Sequence, residues 1–221
     1  EKRKPVGKLH QPLMKSFREY MLVGGMPQAV TAFVETRDFG KVDFAKQGIL
    51  SLYKSDMETQ REENPDYVGN FFDRIPSELS KHDKRFVLTH INANARVRDY
   101  SGPVRWLEEA MIVNLARKVD DPSAAFNLST SSPSFKCYMM DTGLLVSLAF
   151  DESELAAEDI HNRLLNDDIE LNEGMLVENV VAQMIRAAGH KLYFYSNSDR
   201  TDAANRMEID FLLAKSRTQV K

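Results

Sequence analysis

The hydrophobic period of this chain changes along its length, and that change restricts the fold more than any single motif does. In the first third, apolar residues recur at helical spacing. Leu13, Phe17, Tyr20 and Met21 form one stripe at i, i+4, i+7 and i+8. "VGGMPQAV" (23–30) interrupts it: Gly24 or Gly25 supplies a left-handed helix end, and Pro27 suits the first turn of the next helix. Ala45, Ile49, Leu52 and Tyr53 mark a third helix, and Val68, Phe71, Phe72, Ile75 and Leu79 the inner side of a fourth. The period then shortens. "RFVLTHI" (85–91) reads as a strand, and "YSGPVRWLEEAM" (100–111) as a short helix with Val104, Leu107 and Met111 inward. "IVNLARKV" (112–119) and "FKCYMMD" (135–141) read as strands that can pair as a long hairpin across a polar loop. A helix within 170–190 follows, with Leu176, Val177, Val180, Val181, Met184 and Ile185 on a broad face and Gly189 as its cap; strands at 191–196 and 207–214 complete the pattern. The fold class expected is α+β. Residues 1–60 form a helical linker segment, 61–134 a winged-helix-like region outlined by the helices and hairpin, and 135–221 an α/β domain.

Within the last strand, "RMEIDFLL" (206–213) places Glu208 and Asp210 on one face, while Ile209, Phe211 and Leu213 leave by the other. Glu178 sits mid-helix among apolar residues and needs a base, a backbone donor or a metal. Two explanations stay open for the strand pair. It pairs with Arg200, Arg206 or Lys191 at a sheet edge, or it holds a cation. Arg96, Arg98, Arg105, Arg117 and Lys118 can reach phosphates, which ask only for charge and length; the same residues also suit a solvated face on a packing module.

Composition narrows the choices. The net charge of −4 provides no global positive field to draw the chain to nucleic acid. A single cysteine, Cys137, excludes an internal disulfide, fits a reducing compartment and reads as a core residue. The apolar run "TGLLVSLAF" (142–150) is too short to span a bilayer, and "EKRKPVGK" lacks the apolar core of a signal peptide, so a cytoplasmic location is expected. "FGKV" and "VGKL" lack a phosphate-cradling loop and the hydroxyl for Mg²⁺, so this chain binds no ATP by itself. The five histidines show no ligand spacing, which argues against zinc. Asp141 reads as a turn or helix cap.

Five segments, "FREYMLVGGMPQAV", "ILSLYKSDM", "FKCYMMDTGLL", "GMLVENVVAQMI" and "MEIDFLL", occur in this order between about residue 10 and 213. Together they resemble the C-terminal half of a large bacterial and archaeal family of predicted AAA-type ATPases. The resemblance implies an N-terminal P-loop module outside this chain, then the winged-helix-like region, then a domain of unknown function resembling restriction-endonuclease-like nucleases. It also implies that Glu178, Asp210 and Glu208 hold Mg²⁺, with ATP bound only through the absent module. The third nuclease element departs from the pattern: "TQVK" has Gln219 where a Glu is needed, so that motif is expected beyond Lys221 and the α/β domain is expected to be incomplete. The missing initiator Met and the barely begun strand in "AKSRTQVK" agree with a fragment of a longer protein. The function implied is a DNA- or partner-binding module coupled to the P-loop domain. The alternatives are a Mg²⁺-dependent nuclease domain and an inactive structural or oligomerisation module. AAA-type relatives also imply self-association, and no membrane partner is expected.

Overall fold

A computed structural model describes residues 7–59, 67–91, 96–122, 126, 129–130, 133–151, 173–197, 207–216 and 219–220. Its helices are α1 (His10–Val23), α2 (Pro27–Thr36), α3 (Phe39–Thr59), α4 (Tyr67–Leu79), α5 (Val97–Glu109), α6 (Thr142–Ala149) and α7 (Glu173–Ala187). Its strands are β1 (Val113–Lys118), β2 (Phe135–Met139), β3 (Leu192–Asn197), β4 (Met207–Leu212), β5 (Ala214–Ser216) and β6 (Gln219–Val220). The protein is therefore α+β. It divides into two compact units, Glu1–Lys54 with Asp141–Val177, and Ser55–Met140 with Glu178–Lys221.

The first unit is helical. Gly24, at φ 78°, ends α1 by donating its N–H to the Tyr20 carbonyl at 2.8 Å, and Pro27 opens α2. Asp38 caps α3, its carboxylate accepting from the N–H groups of Gly40 and Lys41 at 2.8 and 3.2 Å. The core of this unit includes Met21, Leu22, Val42, Leu50, Leu144 and Leu145. Two expected stripes are displaced. Leu13 and Tyr20 are exposed, so α1 is buried only at its C-terminal end. In α3 the inward face is Val42, Lys46 and Leu50 rather than Ala45, Ile49 and Leu52. A lysine occupies its centre, so counting apolar residues places that face wrongly.

The second unit carries a mixed four-stranded sheet in the order β2-β1-β3-β4. The expected hairpin is present: β1 and β2 are antiparallel, with Leu115 opposite Cys137. It is not free-standing, because β1 also pairs in parallel with β3, and β3 pairs antiparallel with β4. One sheet thus runs across residue 134, where the sequence reading set a boundary. Helix α4 buries Val68, Phe71, Phe72, Ile75 and Leu79, the five residues expected. From α5, Val104 and Leu107 turn inward as expected, but Met111 is exposed at φ 56°, where the chain reverses into β1. Gly189 closes α7 at φ 82°, while Val177 and Met184 are exposed, so the apolar face of α7 is narrower than its sequence suggested.

Residues 85–91 do not form a strand. Phe86 donates one backbone bond to the Phe135 carbonyl at 2.9 Å and stacks on Phe71 at 4.2 Å. The chain then closes on itself, His90 N–H to Val87 O and Ile91 N–H to Leu88 O, both at 3.0 Å. Those local bonds take the donors that a strand would offer to a neighbour.

Candidate functional site

Alternation along β2 sends Phe135, Cys137 and Met139 to one face of the sheet and Lys136 and Tyr138 to the other. Glu208 and Asp210 project from β4, at the opposite edge, and Lys136 spans the distance. Its Nζ donates to Glu208 at 3.0 Å and to Asp210 at 2.8 Å, lying 5.2 Å from the centre of the Phe194 ring on β3. The β1 residue opposite Lys136 is Ala116, whose small side chain leaves the path over the sheet open. Burial alone would lower the lysine's pKa, but the hydrogen bonds and charges of Asp210 and Glu208 outweigh it and raise it. Lys136 is therefore an ammonium, only 1% exposed in its side chain, while Glu208 and Asp210 are 40% and 47% exposed.

Glu178, on α7, has the base it requires. Lys84 forms an ion pair with it, and the Tyr138 hydroxyl donates to its second oxygen at 3.1 Å. Burial, and after it the negative charge of Glu178, pushes the Tyr138 pKa far up, so the phenol stays a donor. Next along the helix, Asn179 binds both backbone groups of Met139, accepting its N–H at 2.8 Å and donating to its carbonyl at 3.1 Å. That clamp fixes α7 against β2 and sets where Glu178 lies.

The structure thus gathers all three acids named from the sequence around Tyr138, whose pKa responds to each of them. It gives them partners the sequence reading did not name: Lys136, Lys84 and Tyr138. Arg200 and Arg206 lie outside the described residues. Among the described residues, no group of three or more acids, histidines or cysteines is placed to hold a metal ion. As arranged, the acids do not fit Mg²⁺, since ammonium groups occupy the positions a cation would take.

Three of the five basic residues expected at phosphates are locally compensated. Arg98 pairs with Asp99 at 3.3 Å, Arg105 with Glu109 at 2.7 Å, and Arg117 with Glu108 through two bonds of 3.1 and 2.6 Å. Arg96 is exposed and Lys118 half-buried. Arg117 also borders a cavity of about 340 Å³ walled by Tyr100, Val104, Leu115 and Phe135.

The first unit holds a second polar cluster of different construction. Asp141 caps α6, as expected, accepting from Leu144 N–H at 2.9 Å, and its other oxygen accepts from Gly25 N–H at 2.6 Å. A Cβ on Gly24 would lie 2.2 Å from Asp141 Oδ1, and one on Gly143 would lie 2.4 Å from the Val23 carbonyl oxygen. Lys46, fully buried, donates to the carbonyls of Leu22 at 2.8 Å and Gly143 at 3.3 Å. Burial pushes its pKa down to about 8 against the pull of Asp43 and Asp141. The "VGG" turn and the "DTG" turn are thereby one joint, with no room for a side chain at its centre.

Residues 14–155 match the model of a domain of unknown function, DUF8612. The chain belongs to that family. The DUF8612 span takes in the Gly24–Asp141–Gly143 joint, Lys46, Lys84 and Lys136, whereas Glu178, Glu208 and Asp210 lie beyond it. No curated protein and no solved structure matches the chain.

Proposed function

We propose that the chain is a protein-binding module, the part of an AAA-type ATP-binding protein that carries no ATP site, and that it works by contact rather than by cutting nucleic acid. The observation that carries this reading is the pairing of Glu178, Glu208 and Asp210 with Lys84 and Lys136. The positive charge that a nuclease draws from a bound metal is already supplied internally. The compensated arginines point the same way, because phosphate binding rests on cations that are free to release counterions. A protein surface also has apolar residues to meet in the first unit, where Val34, Phe44 and Leu52 are 64%, 83% and 67% exposed. The link to an AAA-type parent is supported by the five ordered segments. Two of them, around Gly24 and around Asp141 to Gly143, are fixed by the joint, which accounts for that stretch of sequence without any catalytic demand.

The test is fluorescence anisotropy with labelled duplex DNA at 50 and 200 mM salt (roughly the range over which phosphate-driven binding collapses), followed by a cleavage assay in Mg²⁺. Neither binding nor cleavage is expected. Salt-sensitive binding would replace the protein partner with DNA. Mg²⁺-dependent cleavage that disappears in Asp210→Asn would establish the nuclease reading, which the half-exposed carboxylates of Glu208 and Asp210 favour.

A further inference from the structure

Helix α3 is one unbroken α-helix from Phe39 to Thr59, and it is apolar on two opposite sides. Val42, Lys46 and Leu50 face the interior. Phe44, Gly48 and Leu52, spaced four residues apart, lie roughly 180° away at about 100° per residue. On that outer side, Phe44 is 83% and Leu52 67% exposed. Gly48, between them, is exposed as well, and a Cβ built there would meet nothing within 4 Å. Packing among the described residues therefore gives no reason for a glycine in mid-helix, where it weakens the helix. Close approach by something outside would give one.

We propose that this face binds the same face of a second copy of the chain, α3 against α3, antiparallel, on a two-fold axis at Gly48. The proposal rests on the protein-binding reading above and names the partner. Phe44 and Leu52 each stand four residues from Gly48, about 6 Å along the axis at 1.5 Å per residue. A two-fold axis at that glycine sets Phe44 against the partner's Leu52, and Leu52 against the partner's Phe44. This is the self-complementarity an isologous contact demands. Charge chooses the direction. Lys41 lies before Phe44 and Asp56 after Leu52, both exposed. Antiparallel pairing brings Lys41 toward the partner's Asp56 at each end, whereas parallel pairing would set like charges together. One helix face buries less than a standard interface of about 1,600 Å², so the dimer is weak and depends on concentration.

Gly48→Cys tests the axis directly, because a disulfide forms only where two Cα atoms come within about 7 Å. The native Cys137 is wholly buried and stays silent. Under mild oxidation, Gly48→Cys should form a covalent dimer about ten-fold faster than Ser77→Cys, an exposed control on α4. In sedimentation, the wild-type mass should rise with concentration while Phe44→Glu stays monomeric with an unchanged melting temperature. Lys41→Asp should weaken the dimer, and adding Asp56→Lys should restore it. Equal cross-linking rates, a wild-type mass constant to millimolar concentration, or no rescue by the double swap would each overturn the antiparallel pairing. They would leave the protein-binding reading in place; salt-sensitive DNA binding would remove that reading instead.

Discussion

Two buried lysines, one in each unit, end with pKa values shifted in opposite directions, although burial by itself lowers both. Lys46 falls to about 8, and Lys136 rises. Both have lost most of their water, but Lys46 faces two backbone carbonyls, with Asp43 only at 3.8 Å, whereas Lys136 touches two carboxylates. Carbonyl dipoles return part of the lost hydration. Two formal negative charges at hydrogen-bond distance return more than all of it. The first unit therefore uses its lysine as a strut between turns and bears a standing cost for it. The second uses its lysine as a counter-ion.

The contrast is broken most severely at the joint that Lys46 supports. Gly143→Ala forces a methyl group against the Val23 carbonyl, and backbone cannot swing aside as a side chain can. The expected loss is about 3 kcal/mol, at the upper end of overpacking, read as a lower thermal unfolding midpoint. An unchanged midpoint would mean that the two turns do not touch.

The second prediction concerns the strut's charge. Because the folded pKa of Lys46 is lowered, the unfolded chain holds the extra proton between about pH 8 and 10.5. The penalty is thus fully present below pH 8, and stability climbs as the pH rises through that window, by about 3 kcal/mol at 1.36 kcal/mol per unit. Lys46→Met removes the slope. Denaturant titrations of both proteins at about pH 7.5 and 11, which bracket the window, measure it, and equal slopes would refute the assignment.

Lys136→Met is expected to cost less, about 1–2 kcal/mol, because Glu208 and Asp210 are nearly half exposed and regain water when the ammonium is lost. Millimolar Mg²⁺ should then raise the melting temperature of the variant and not of the wild type. Stabilisation of the wild type by Mg²⁺ would show that the lysine does not stand in for a cation.

Periodicity located what was uniformly apolar. The apolar part of the inward side of α4 was legible, though not the buried Glu78 beside it, as were the cap at Asp141, the glycine ends at Gly24 and Gly189, and the pairing of β1 with β2. It failed where a charge sits inside. Lys46 displaced the reading of α3 by one position, and Lys136, alternating with apolar neighbours on β2, has the pattern of an ordinary solvent-facing strand residue. The acids of the site were legible because carboxylates in an apolar setting demand an explanation. Their lysines were not, because each comes from a distant stretch of chain: Lys84 lies 94 residues from Glu178, and Lys136 lies 72 and 74 residues from Glu208 and Asp210. Residues 85–91 misled for a different reason, since their apolar side chains meet a small aromatic stack while their amides bond locally.

The lysine that crosses the sheet also imposes an order on assembly. The β1–β2 and β3–β4 pairs each join stretches near in sequence, whereas the parallel β1–β3 seam joins Ala116 to Leu192 across a long loop closure. Until that seam closes, Lys136 and the two acids belong to separate ribbons, and no bond can form between them. The cross-sheet tie is consequently expected to act as a late latch, so that its loss changes the rate of unfolding more than the rate of folding.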